Sequence, residues 1–164
     1  MNLVVFGVGH PDCGDDAAGP LVADLLANDP YVRVRHVIGD PSGMLTDALW
    51  LPDGELVVVD AVVTGADPGT VHTWSMLELL VAAAPRGGGT HDLDLTTTLR
   101  LAEALDRLPR SLTLMGIEGV RFTPGTEPSH SVLTATERVA ATLAARARSA
   151  ARAPELARPR SHPQ

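Results

Sequence analysis

The chain has no lysine, one cysteine and very few aromatics. All 13 of its basic residues are arginine, a bias that carries no functional meaning by itself. The single Cys13 excludes an internal disulfide and a multi-cysteine zinc site, which fits a reducing compartment and an expected cytoplasmic location. With aromatics at 3%, the core has to be built from Val, Leu, Ala and Ile. No apolar run approaches the roughly 20 residues of a membrane span. The opening "MNLVVFGVGH" has no basic leader and reads as a first strand, not a signal peptide. A net charge of −7 makes nucleic acid an unsuitable partner.

What is present is an ordinary apolar fraction, 45%, on a length of 164 residues, enough for one domain around one core. Leu3–Phe6 is a continuous apolar run that predicts a buried strand. Leu21, Val22, Leu25 and Leu26 follow at helical spacing, with Asp15 or Asp16 at the expected N-cap. "YVRVRHVI" alternates, with Val32, Val34 and Ile38 on its half-buried side. "GDPSGM" is turn chemistry, after which a short helix is expected around Leu45–Leu49. "ELVVVDAV" is the clearest buried strand and carries Asp60. A strand at Thr70–Trp74, a helix over Asp94–Leu108, the strand "SLTLMGIEG" and a long last helix complete the order.

Alternating strands and helices predict an α/β fold, a single-domain three-layer sandwich. Its twisted, mainly parallel sheet has five strands, with helices on both faces. The domain is expected to occupy residues 1–150. The Arg- and Pro-rich end, 151–164, reads as a disordered tail.

In open parallel sheets the ligand site lies at the carboxyl ends of the strands. Three stretches compete for that edge: the opening loop "GVGHPDCGDD", Asp60, and Asp40. "GVGH" suggests a dinucleotide fingerprint, but the third glycine is replaced by Asp12. Asp15 and Asp16 would also put negative charge where a phosphate belongs, so a nucleotide site is disfavoured. A carboxylate ending an apolar strand is costly unless it is paired, hydrogen-bonded or bound to a cation; capping a loop amide is the plainer role for Asp60. Among the histidines, His36 and His72 sit in strands and read as structural, His162 as solvated. His10 lies in the opening loop and His91 in a Gly-rich loop before a helix.

"VFGVGHPDCGDDAAGP" resembles the N-terminal motif of the hydrogenase maturation endopeptidases. There a strand runs into G-[IV]-G-N, a short insert and D-[DE]-x-x-G. "LVVVDAVVTGADPGT" is similar to the second signature of that family, "THDLDLTTTLRLAEAL" to its third, and "LTLMGIEG" with the terminal helix to its close. Order and spacing agree from Leu3 to about Ala145.

The resemblance implies a peptidase that removes a C-terminal extension from the nickel-loaded precursor of a [NiFe]-hydrogenase large subunit. It implies that Asp16, Asp60 and His91 contact the metal and carry the catalysis. Nickel would arrive with the substrate, and no cofactor of the peptidase's own is certain. Either the cation lowers the pKa of a bound water, or it positions the bond while a carboxylate activates a separate water. Asp40 resembles the family's other acidic loop position, beside the metal contacts or against the substrate, although the loop is shorter. His10 stands where Asn is usual, either keeping a hydrogen bond to the loop or adding a nitrogen ligand. Pro85–Thr90 reads as a lid. A monomer is expected, with no membrane or nucleic-acid partner. The competing expectation is a non-catalytic nickel-sensing or scaffold module of the same fold.

Overall fold

In the computed structural model, residues 3–51, 54–81 and 95–156 are described. Five strands form one sheet: β1 (Leu3–Val8), β2 (Val32–Val37), β3 (Leu56–Val62), β4 (Val71–Ser75) and β5 (Leu112–Glu118). Their order is β2-β1-β3-β5-β4. The helices are α1 (Ala18–Leu26), α2 (Met76–Val81), α3 (Leu95–Ala104) and α4 (His130–Leu156), with 3-10 turns at Gly14–Ala17 and Pro41–Thr46.

The continuous apolar runs are buried on both sides because helices cover both faces. Val5, Val57, Val59 and Ile117 pack with Val22 of α1 and with Val139 and Leu143 of α4. Their strand neighbours Phe6, Val58 and Leu114 face the other way, onto Trp50, Leu79 of α2 and Leu99 of α3. Trp50 sits edge-on to Phe6 and donates its indole N–H to the Arg107 carbonyl at 2.7 Å. With so few aromatics, this one fills the second core layer.

β1, β2, β3 and β5 run parallel, and β4 pairs antiparallel with β5. The link from β3 to β4, residues 63–70, is shorter than the dozen or so residues of a parallel crossover, so β4 has to return.

Several local expectations change. Val37, not Ile38, is the buried end of β2, and Ile38 lies beyond the strand at 60% exposure. The helix expected at Leu45–Leu49 is instead the turn Pro41–Thr46, started by proline at its first position under the Asp40 cap. Neither Asp15 nor Asp16 caps α1. The chain enters that helix through a 3-10 turn, and both carboxylates have other partners. α4 continues to Leu156, into the segment expected to be tail; residues 157–164 lie outside the described residues. Among the described residues no helix is long and apolar enough to cross a membrane.

Candidate active site

β1 has β2 on one side and β3 on the other, so the chain's direction of travel across the sheet reverses between β1 and β3. In open α/β sheets a switch point of this kind, at the carboxyl ends of the strands, is where a ligand crevice is expected. Asp16 comes from the turn after β1, and Asp60 from the end of β3.

Asp16 is almost fully buried, at 4% exposure. Its Oδ2 accepts the backbone N–H of His10 at 2.7 Å, which folds the turn back over the end of β1. Gly9, at φ +135°, makes the approach possible, since a Cβ there would overlap the Asp16 carbonyl oxygen. Gly19 does the same for α1, which lies so close to the strand ends that a Cβ would overlap the carbonyls of Val8 and Val59.

Asp60 is partly buried and shares the strand parity of Leu56 and Val58, whose side chains face the α2/α3 layer. Its pKa is raised well above the ordinary 3.8. Burial is the main cause and the nearby Asp16 carboxylate the second; a hydrogen bond from the Ala61 backbone partly offsets them. The turn after β1 and the end of β3 therefore place Asp16 where its charge acts on Asp60.

His91 and the Pro85–Thr90 loop lie outside the described residues. Among the described residues no cluster of three or more His, Cys, Asp or Glu gathers as a metal site.

Asp40 is exposed and caps the Pro41–Thr46 turn, its Oδ1 accepting the Ser42 N–H at 2.8 Å. It also lines an open cleft of about 210 Å³ with Phe6, Val37 and Met44 as floor and Arg35 and Asp47 at the rim. His10 uses Nδ1 to accept the Asp12 N–H at 3.2 Å. An asparagine side-chain oxygen makes the same bond to the amide two residues on, so His10 here reproduces an Asx turn. Cys13 is half-buried and in no disulfide, and its backbone bridges to Thr126.

Two buried acids were not marked as site features by the sequence. Asp15, at 0% exposure, accepts the N–H groups of Val120, Arg121 and Ser129. Burial alone would raise its pKa, but these amides hold it below the ordinary value. Glu118, at 1% exposure, ends β5. It accepts from the Thr64 N–H and hydroxyl, the Gly65 N–H and His72 Nε2, at 2.7 to 3.1 Å. These bonds outweigh burial and keep its pKa low. His72 in turn stacks on Trp74 at 5.2 Å. The signal was available: "MGIEG" ends an apolar strand in an acid, as "VVVD" does.

Beyond this geometry, the sequence pattern of the hydrogenase maturation proteases matches residues 45–146. The chain belongs to the hydrogenase maturation protease family. It is an enzyme, a hydrolase of peptide bonds. No curated protein sequence matches the chain.

Among solved structures, this maturation protease is similar to HybD from Thermococcus kodakarensis. Identity is 25% over 90% of this chain and 99% of that one, with a TM-score of 0.72. HycI from T. kodakarensis KOD1 is 27% identical over 87% and 90%, with a TM-score of 0.68. HybD from E. coli, 22% identical over 92% and 94%, shares the fold with a TM-score of 0.73. The protease is thus an α/β sandwich of the same architecture.

Proposed function

We propose that this protease removes the C-terminal extension of a nickel-loaded [NiFe]-hydrogenase large-subunit precursor, in the cytoplasm and as a monomer. Nickel belongs to the substrate and signals that the precursor is ready to be cut. Asp16, Asp60 and His91 are the residues that would meet it.

One observation supports this reading: Asp16 and Asp60, 44 positions apart in the sequence, lie near enough that the Asp16 charge adds to burial in raising the pKa of Asp60. Two hard oxygen donors at an open crevice suit a divalent cation with free coordination positions. A cation there would offset the repulsion that the Asp16 carboxylate exerts on Asp60.

The chain leaves α3 towards Arg107, which packs on Leu45 and Trp50, and then starts β5 beside Leu56. α3 therefore runs back across the sheet, with Leu95 towards the carboxyl edge. His91 is four residues before Leu95, a span of at most about 14 Å. This supports its assignment as third contact. Asp40 would meet the substrate from the cleft beside β2. His10 shapes the loop beneath Asp16 and is not itself a nickel ligand.

Once the substrate is seated, a carboxylate can take a proton from water as it attacks the scissile carbonyl. Incubation with nickel-loaded and nickel-free precursor, followed by intact mass, tests the proposal. Cleavage of only the loaded form is expected. Equal cleavage of both removes the nickel checkpoint, and cleavage unaffected by Asp16→Ala or His91→Ala removes the site assignment.

A further inference from the structure

Asp15 and Asp16 are consecutive, yet their side chains serve opposite sides of one turn. Asp16 reaches back to the His10 amide over the end of β1. Asp15 reaches forward to the loop that follows β5. Its Oδ2 accepts from Val120 and Arg121 at 2.8 and 2.9 Å, and its Oδ1 from Ser129 at 2.6 Å. The backbone continues the same junction. The Asp15 N–H donates to the Arg121 carbonyl at 2.6 Å, Gly14 to Thr126 at 3.0 Å, and Gly125 to Asp12 at 2.7 Å.

The loop held in this way is itself anchored to the strand that bears Asp60. Gly119 donates to the Val62 carbonyl at 3.0 Å, and Gly116 of β5 pairs with Asp60. The two site carboxylates are therefore linked by a closed path. It runs from Asp16 through Asp15 to the loop after β5, and through β5 to Asp60. A buried carboxylate taking three amides is a stiff element of such a path, because leaving any of those donors unpaired is costly.

We propose that Asp15 is the positioning residue of the catalytic site: by gripping the amides of Val120, Arg121 and Ser129 it fixes the turn that carries Asp16 opposite Asp60. This rests on the site reading given above and adds a residue that does not touch substrate.

The consequence is kinetic. Asparagine at this position keeps the shape, but its NH2 group would face an N–H donor, so the turn loosens. Misplacement on the ångström scale costs about tenfold to a hundredfold in turnover. Substrate docking elsewhere on the surface leaves KM within about twofold.

The test compares Asp15→Asn, Asp16→Asn and Leu143→Ala on the nickel-loaded precursor. Leu143→Ala is a distant core change, and both it and Asp15→Asn are assayed below their melting transitions. The expected result is a kcat loss of about tenfold or more for Asp15→Asn with KM nearly unchanged, and wild-type kcat for Leu143→Ala. A kcat for Asp15→Asn equal to that of Leu143→Ala overturns the proposal. If Asp16→Asn is inactive in the same experiment, the site reading stands while the positioning role falls. An Asp16→Asn that cleaves normally overturns the site reading itself and, with it, the positioning role. Should Asp15→Asn fail to fold, Ser129→Pro removes one donor and keeps the carboxylate. It carries the same expectation of reduced kcat at constant KM, and an unchanged kcat overturns the proposal.

Discussion

Asp60→Asn should make the metal-free protein more stable at neutral pH while abolishing cleavage. The carboxylate of Asp60 is held above its ordinary pKa of 3.8 by burial and by Asp16. An acid whose folded pKa is raised binds its proton more tightly in the native state than in the unfolded chain. The native state therefore loses stability as pH rises from the unfolded value through the raised folded value, and above that the cost is constant.

Each unit of elevation is worth about 1.4 kcal/mol. For a chain of this length that corresponds to about 3–6 °C in melting temperature per unit. Partial exposure of the side chain screens part of the effect, so the expected outcome at pH 7 is a higher melting temperature for the variant, its size set by the elevation. Asparagine removes the charge and keeps an oxygen for the Ala61 amide.

The assay is thermal unfolding of chelator-treated wild type and variant from pH 4 to pH 8. The gap should be widest at neutral pH and shrink towards pH 4, near the ordinary pKa of 3.8, below which wild-type Asp60 becomes protonated in both states. A divalent cation added at pH 7 should stabilise wild type more than the variant. A variant less stable than wild type at pH 7, or a gap that does not close in acid, would refute the argument. In that case Asp60 is not a strained acid kept for function, and the trade-off between stability and activity is absent.

Three further outcomes follow from the same contacts. His10→Asn should cleave within about twofold of wild type, because the amide oxygen takes over the Asp12 N–H, whereas His10→Ala should lose about 1 kcal/mol in urea unfolding. Glu118→Gln should lose about 1–3 kcal/mol at pH 7, since the ionised acceptor of Thr64, Gly65 and His72 is gone. Because the folded pKa of Glu118 lies below 4.5, its contribution is present above the unfolded pKa and is lost as pH falls through the folded one. Wild type and Glu118→Gln should therefore converge when denaturation is repeated at pH values stepped down from 4.5 through the folded pKa. Gly19→Ala should cost about 3 kcal/mol or prevent folding, since the added methyl meets the carbonyls of Val8 and Val59; a normal melting curve would contradict the close packing.

The sequence by itself determined the architecture. "LVVF", "LVVVD" and "LTLMGI" are too uniformly apolar for a half-exposed sheet, and helical spacing between them leaves an α/β sandwich as the way to cover both faces. It also marked Asp60 and the acidic turn after the first strand, because acids there lie at the sheet edge where ligands bind, and the family resemblance picked Asp16 out of that turn.

Tertiary structure decided what each acid does. Asp15 and Asp16 look equivalent in "GDDAAG", and only the loop 105 residues downstream in the chain, with its free amides at Val120 and Arg121, makes one a brace and leaves the other for the crevice. Glu118 carried the same local signal as Asp60. The Thr64–Gly65 turn supplies it with donors and keeps it ionised, whereas Asp60 faces a second carboxylate and is pushed towards its protonated form. The direction of β4 likewise came from the short return after β3, not from any residue within "VHTWS". Local pattern fixes which residues reach the sheet edge; the partners that give a buried charge its role come from distant segments, and only folding brings those together.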